Sequence, residues 1–208
     1  RRVKIYDHKT NKNTIERNEG AQVKLTDINK LNLLDFQKNI VRSNVVTPSI
    51  GFNPDDGFKI GLSDTYTVNG FQRNPFSQQH TFNGGYFFAT NGFDLTYSGE
   101  FANIVADWNL YVGGRVTTEN FTNNFFGFGN ETINNDEDLD FDYNRAKTSI
   151  YGAEVGFLKR SSFGSDYIFK AVIEAVELQN TSDRFITDLV PASDEDFYSR
   201  KVFTAIEA

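Results

Sequence analysis

The chain of 208 residues contains no cysteine, no methionine and only four prolines. The lack of cysteine excludes disulfides and thiolate metal sites, although it does not identify the compartment. No apolar run approaches the roughly 18 residues of a membrane-spanning helix. A transmembrane β-barrel needs no such run, because its strands alternate apolar and polar residues. The net charge of −7 argues against a general nucleic-acid binder, which needs a basic surface for phosphates.

No secretory leader is visible, and the chain stops within a strand-like run, so we expect a segment of a longer protein. What the sequence has in abundance is aromatic residues, with 21 Phe and 9 Tyr beside 16 Gly. Phe and Tyr favour strands, and glycine within strands often marks a bend or a close backbone approach. The composition therefore favours an all-β fold.

Residues 1–43 are charged and poor in aromatics, and we predict that they form a connector before the β domain. Within the connector, the apolar residues of 31–36 are compatible with a short helix or a pairing strand. From residue 44 onward the hydrophobic period is two, which puts successive side chains on opposite faces of a sheet. We therefore predict two regions, the connector 1–43 and a partial outer-membrane β-barrel 44–208 that is truncated at its C-terminus.

About eight strands are predicted, joined as consecutive hairpins in an antiparallel meander. The alternation is clearest in 58–68, 80–88, 93–101 and 108–116, and strands are also expected in 147–158, 166–178 and 197–208. An amphipathic helix remains an alternative for 166–178. Asn91-Gly92 is the strongest hairpin signal, since both residue types tolerate positive φ. Loops are expected at 69–78, 120–140 and 179–196, and Asp64 breaks the apolar pattern of its strand.

Alternation alone does not decide whether the apolar face points into a soluble core or towards lipid. Three features favour lipid. Charged residues lie in mid-strand on the polar faces, as a wet lumen accepts (Lys59, Glu100, Arg115, Glu154). Aromatic residues lie near strand ends, where interfacial girdles belong (Phe58, Phe88, Phe93, Trp108, Tyr167). Several predicted strands also exceed the five or six residues common in soluble sheets.

The segment Phe125-Phe126-Gly127-Phe128-Gly129-Asn130-Glu131-Thr132 resembles the bacterial surface antigen family, the barrels of outer-membrane assembly factors. Residues 47–58 look like the first strand pair of such a barrel. Asn74-Pro75-Phe76, Gln79-His80-Thr81 and 92–103 are similar to Bacteroidetes members, in which the barrel follows a calcineurin-like metallophosphoesterase domain. The resemblance covers roughly residues 22–208. The Val-Arg-Gly-Phe/Tyr loop and the polypeptide-binding repeats of assembly factors do not occur in this sequence.

No catalytic, cofactor-binding or metal-binding residue is predicted, and we expect no cofactor and no enzyme activity in this segment. The two histidines, His8 and His80, lack the spacing of a dimetal phosphoesterase. The acidic runs lack calcium-loop spacing and are interpreted as solvated loops (Asp136, Glu137, Asp138, Asp140, Asp142; Asp194, Glu195, Asp196). Glu100 and Glu154 resemble a glycosidase pair only in residue type.

The resemblance and the alternation together imply a barrel segment in the bacterial outer membrane. Its expected role is insertion or translocation of outer-membrane proteins, or anchoring of an upstream metallophosphoesterase. The expected partners are outer-membrane lipid and lipopolysaccharide, and also unfolded outer-membrane proteins or the phosphoesterase domain, with no nucleic acid. The alternative is a soluble β-barrel or sandwich that binds a ligand.

Overall fold

A computed structural model of the chain describes residues 3–16, 20–27, 42–69, 76–129, 142–161 and 165–208. These residues form ten strands and two short helices. The strands are β1 Lys4–Asp7, β2 Gln22–Leu25, β3 Arg42–Asn53, β4 Gly57–Val68, β5 Gln78–Phe87, β6 Gly92–Val105, β7 Trp108–Asn124, β8 Arg145–Arg160, β9 Asp166–Leu178 and β10 Lys201–Glu207. The helices are α1 Phe185–Leu189 and α2 Glu195–Tyr198.

Strands β3 to β10 form one eight-stranded sheet in the order of the sequence, and every neighbouring pair is antiparallel. The predicted all-β meander and its strand number are therefore confirmed. Segment 166–178 is a strand, as predicted, and not a helix. Strands β1 and β2 form a separate parallel pair within the predicted connector, while the apolar stretch 31–36 lies outside the described residues.

Several predicted boundaries were wrong. Strand β3 already begins at Arg42, and β7 continues to Asn124, into the region predicted as the loop 120–140. Helix α1 lies within the predicted loop 179–196, and α2 occupies the start of the predicted strand 197–208. The hairpin at Asn91-Gly92 is confirmed, but its turn spans residues 88–91. Only Asn91 has a positive φ (55°), because Gly92 already belongs to β6.

The two ends of the sheet differ in the length of their connections. The segments 54–56, 88–91, 125–144 and 179–200 join strands at one end, which we call the long-loop end. The segments 69–77, 106–107 and 161–165 join them at the other, the short-loop end. Strand β3 starts at the short-loop end, because Arg42 pairs with Val68 next to segment 69–77. The first residue of β3, Arg42, therefore lies at that end.

Candidate functional site

The register brings the apolar stripes of β4 to β9 onto one face of the sheet. Directly paired residues in an antiparallel ladder share a face, and the ladder runs Leu62↔Gly84↔Leu95↔Val116↔Tyr151 without a change of face. The predicted stripes therefore form one continuous surface, which we call the outer face. The residues between them form the inner face.

The exposure of the two faces is opposite to that of a soluble protein. On the outer face, Leu95 and Ile173 are each 50% exposed and Ile50 is 77% exposed. On the inner face, Glu100 is only 9% exposed and Thr117 is fully buried. Polar side chains are thus shielded by one another while aliphatic and aromatic side chains point outward. Contiguous exposed apolar surface of this kind marks an interaction site.

Aromatic side chains of the outer face form two rows. The first row lies towards the long-loop end, where Phe58 is 5.7 Å from Phe88, and Tyr86 is 5.0 Å from Phe88 and 4.9 Å from Phe93, between ring centroids. The second row lies towards the short-loop end and has these members: Tyr66, His80, Tyr97, Phe101, Trp108, Phe157, Tyr167 and Phe169. Sequence position alone predicted five of these aromatic residues near strand ends.

Between the two rows the outer face is mostly aliphatic or small (Ile60, Leu62, Gly84, Leu95, Val112, Gly114, Val116, Ala153, Val155, Ala171, Ile173). Phe58 and Tyr66 mark the two rows on β4 and are eight residues apart. At about 3.3 Å per residue this is ~26 Å along the strand. A strand tilt of about 40° reduces the separation to ~20 Å.

Two cations lie over aromatic rings of the outer face. The ammonium of Lys159 is 5.6 Å from the centre of the Trp108 ring and 2.8 Å from the Asp107 carboxylate. The guanidinium of Arg200 is 4.9 Å from the Tyr151 ring and bonds the Glu177 carboxylate. Long cationic side chains whose stems cover apolar surface while their heads reach a polar layer are typical of interfaces.

The inner face holds two polar clusters. In the first, Glu100 accepts hydrogen bonds from the Asn109 amide (2.6 Å) and from Arg160 (2.7 Å), and Arg160 also binds Asp166 (2.9 Å). In the second, Glu154 accepts from the Tyr111 hydroxyl and from Lys170, both at 2.7 Å, and Lys170 is 3.0 Å from Glu207. The two glutamates thus belong to separate clusters, each with its own cation.

Paired glycines make room for these inner-face side chains. A Cβ atom added at Gly113 would collide with the Glu154 side chain, and one added at Gly85 would collide with the Lys59 side chain. Lys59 lies 4.9 Å from the centre of the Phe87 ring, also on the inner face. One glycine of each of the pairs 84–85 and 113–114 therefore accommodates an inner-face side chain.

At the long-loop end a buried carboxylate links the turns 54–56 and 88–91 to strand β7. Asp56 is fully buried and accepts hydrogen bonds from the Thr122 amide (2.9 Å), the Asn53 side chain (2.8 Å) and, more weakly, the Thr90 hydroxyl (3.4 Å). Burial raises the pKa of the Asp56 carboxyl above its ordinary value, although these hydrogen bonds lower it in part. Periodicity gave no signal for this residue, because it lies in a turn.

The segment that carries the surface-antigen resemblance packs against the long connection 179–200. The Phe125 ring is 5.9 Å from the Phe185 ring, and the Phe128 ring is 6.1 Å from the Phe197 ring. Ile186, which follows Phe185 in helix α1, is buried. We call this group of side chains the clasp (Phe125, Phe128, Tyr143, Phe185, Ile186, Phe197, Tyr198). Residues 130–132 of the resembling segment lie outside the described part of the chain.

The remaining candidate residues have local roles or lie outside the described ranges. His8 lies in the segment before β2, while His80 lies on the outer face and shares a 2.9 Å hydrogen bond with the Tyr97 hydroxyl. Asp194 caps α2 by accepting from the Phe197 amide, and Asp196 pairs with Lys201. Of the acidic run 136–142, only Asp142 is described, and it pairs with Arg145 and Arg184.

Within the described ranges, no group of three or more His, Cys, Asp or Glu side chains is arranged to hold a metal ion. The helices of the same ranges are too short or too polar to cross a bilayer. Comparisons of the chain with protein-family models, with curated proteins and with solved structures found no match. The surface-antigen resemblance therefore stays an expectation, and the function has to be argued from the two faces of the sheet.

Proposed function

We propose that the eight-stranded sheet is part of the wall of a transmembrane β-barrel in the bacterial outer membrane. In this proposal the outer face contacts lipid and the inner face lines a polar lumen. The supporting observation is the inverted exposure, since apolar side chains are exposed along the same strands whose polar side chains are shielded. A soluble barrel or sandwich would bury the outer-face residues against each other.

The dimensions of the sheet support the same proposal. Strands β3 to β9 have 10 to 17 residues, and a tilted strand needs about 9–11 residues to cross a bilayer. The aliphatic band between two aromatic rows has the layout of known outer-membrane barrels, and its ~20 Å row-to-row separation is somewhat shorter than their apolar band of about 25 Å. In the hydrocarbon every backbone group needs a partner. We therefore propose that β3 and β10 complete the barrel, either with each other or with further strands.

The connections give the proposed barrel an orientation. Outer-membrane barrels have short periplasmic turns and longer extracellular loops. On this basis the long-loop end faces the exterior, where lipopolysaccharide lies, and the short-loop end faces the periplasm. The chain that precedes β3 would then also lie on the periplasmic side, because β3 begins at the short-loop end. This arrangement suits an anchor for an upstream domain.

We propose anchoring of the preceding chain as the primary role, since a lipid-embedded sheet is sufficient for it. Insertion or translocation of outer-membrane proteins is the second candidate, and one observation favours it. Pro48 lies in the middle of β3, the terminal strand of the described sheet, and has no backbone N–H. Proline in sheets is confined largely to edge strands. Strand β3 therefore offers one donor fewer to a neighbouring strand, as a weakly paired seam requires.

The decisive experiment measures which side chains touch acyl chains. Trp108 is the only tryptophan and belongs to the outer face. After refolding into vesicles, lipids brominated along the acyl chain should quench its fluorescence. Because the chain has no cysteine, a polarity-sensitive probe can be attached to single cysteines introduced at residues 93 to 98. Quenching should then alternate, strong at 93, 95 and 97 and weak at 94, 96 and 98.

If the protein is instead a soluble β-barrel or sandwich, we expect the opposite results. A chain that stays in the aqueous fraction, with Trp108 unaffected by brominated lipid, would refute the membrane proposal. Uniform quenching along residues 93–98 would show adsorption to the bilayer surface without strand insertion, and would refute it as well.

A further inference from the structure

A groove crosses the outer face between β4 and β7. Its floor is formed by two glycines, Gly84 and Gly114, and its volume is about 460 Å³, within the range of small-molecule sites. Its outer-face lining consists of Leu62, Asp64, Phe82, Leu95, Tyr97 and Val116, and the inner-face residues Asn83, Thr96 and Arg115 also border it. A Cβ atom added at Gly114 would meet only the Gly152 carbonyl oxygen, at 3.5 Å. Gly114 therefore leaves space on a face that is otherwise covered by side chains, whereas a Cβ atom at Gly84 would lie 3.2 Å from the Leu95 side chain.

One end of the groove carries a carboxylate without a donor. Asp64 lies on the outer face, paired across the sheet with Val46 and Phe82. Its Oδ1 atom is buried and has no hydrogen-bond partner among the described residues. Leaving a carboxylate oxygen unpaired among apolar groups is costly. Because Oδ1 itself is closed to solvent, a cationic donor with an apolar body would reach the carboxylate at its other oxygen, where the side chain lines the groove.

The position of Asp64 indicates what kind of ligand this is. The Tyr66 ring is 6.2 Å from the His80 ring, and His80 is 6.1 Å from the Tyr97 ring. Tyr97 lines the groove and Tyr66 lies two residues from Asp64 on the same face, so this part of the second aromatic row adjoins the carboxylate end of the groove. Aromatic belts lie at the level of lipid headgroups. Aromatic faces also attract cations. In the proposed orientation this row lies in the periplasmic leaflet.

We infer that the groove binds a phospholipid with a primary-ammonium headgroup, such as phosphatidylethanolamine. The ammonium donates to the Asp64 carboxylate, and one acyl chain lies over Gly84 and Gly114. A quaternary ammonium has no N–H to donate, and an anionic headgroup is repelled by Asp64. This inference rests on the proposed membrane location, but it adds a ligand that the location alone does not require.

The experiment uses the full chain refolded into vesicles of equal parts phosphatidylethanolamine, phosphatidylcholine and phosphatidylglycerol with identical acyl chains. Insertion is scored first, by flotation and protease protection. Lipid that stays with the inserted protein after mild extraction is then quantified by mass spectrometry. Phosphatidylethanolamine should be enriched roughly tenfold over phosphatidylcholine, the effect of about one charge-assisted hydrogen bond. The enrichment should be lost in Asp64→Asn.

Two variants separate the headgroup contact from other effects. Asp94→Asn makes the same change on the inner face, where Asp94 lies 3.6 Å from Arg115, and should keep the enrichment. Gly114→Val fills the groove and should reduce retention of all three lipids. Equal retention of the ethanolamine and choline lipids by an inserted chain, or unchanged enrichment in Asp64→Asn, would overturn the inference and leave the membrane proposal standing. Failure of the wild-type chain to insert would overturn both.

Discussion

The two faces of the sheet share the same strands and the same backbone, yet they follow opposite rules. On the outer face Leu95 is half exposed, whereas on the inner face Glu100 is almost buried and accepts hydrogen bonds from Asn109 and Arg160. Alternation creates two such faces in any half-buried sheet. What distinguishes this sheet is that its polar face is the shielded one. The proposed barrel wall, with lipid outside and a polar lumen inside, would suit this arrangement.

The largest predicted effect comes from placing a charge on the outer face, and the same charge on the inner face is the control. Leu95→Arg puts a guanidinium in the aliphatic band, where a barrel strand loses about 2–4 kcal/mol of folding free energy at the bilayer midplane. Ser98→Arg, on the same strand, places it on the inner face opposite Gly113. We expect Leu95→Arg to prevent or strongly weaken refolding into vesicles, as measured by denaturant titration. Ser98→Arg should change the midpoint little.

The same two variants can also show that the outer and inner faces are assigned wrongly. If Ser98→Arg proved the more damaging and Leu95→Arg were tolerated in aqueous buffer, the faces would be assigned wrongly. The inner face would then be a core, and the ligand-binding soluble fold would be the better description.

The clasp differs from the sheet, because it buries apolar side chains as a soluble protein does. Ile186 is 3% exposed, while Leu189, in the same helix α1, is 45% exposed. Truncation of a buried isoleucine costs about 2–4 kcal/mol. Ile186→Ala should therefore open the clasp and speed cleavage within 179–200 by added protease, with the sheet intact. Leu189→Ala is the matched control and should be cleaved at the wild-type rate.

The buried Asp56 should make the long-loop end sensitive to pH. Because its pKa is raised in the folded protein, the unfolded chain loses the proton first as pH increases. The resulting stabilisation is complete below the ordinary pKa of 3.8, and it is lost as pH rises through the raised value. We expect hydrogen exchange at the Thr122 amide, corrected for its intrinsic pH dependence, to be better protected at pH 3 than at pH 6.

Asp56→Asn keeps an oxygen that can accept from the Thr122 amide but cannot ionise. In this variant the corrected protection of Thr122 should no longer depend on pH. A wild-type protein with the same protection at both pH values would contradict the assigned role of the carboxyl. Asp56→Ala should reduce protection at every pH by about 1–3 kcal/mol, because it leaves the Thr122 N–H unsatisfied.

The sequence predicted the sheet well and the loop end poorly, for a physical reason. A period of two along 93–101 fixes which side chains share a face, and consecutive hairpins fix the strand order, so both were confirmed. Asp56 and Ile186 act through contacts with residues distant in the chain, which no local period records. Strand β7 continues to Asn124, but an irregularity between Thr117 and Phe121 interrupts the alternation. The pattern therefore predicted only the first part of this strand. In the sequence, Asp64 was noticeable only because it breaks the apolar pattern of its strand.

The smallest predicted effect concerns an ion pair on the inner face. Lys170 pairs with Glu154 at 2.7 Å and with Glu207 at 3.0 Å, so it links β8, β9 and β10. Both members of the closer pair keep about a fifth to a quarter of their side-chain surface exposed, so water screens the interaction and about 1 kcal/mol is expected for it. Lys170→Gln should lower the unfolding midpoint slightly in dilute buffer, and high salt should erase most of the difference. A loss of several kcal/mol that persists in high salt would instead indicate a dry inner face, which a water-filled lumen does not allow.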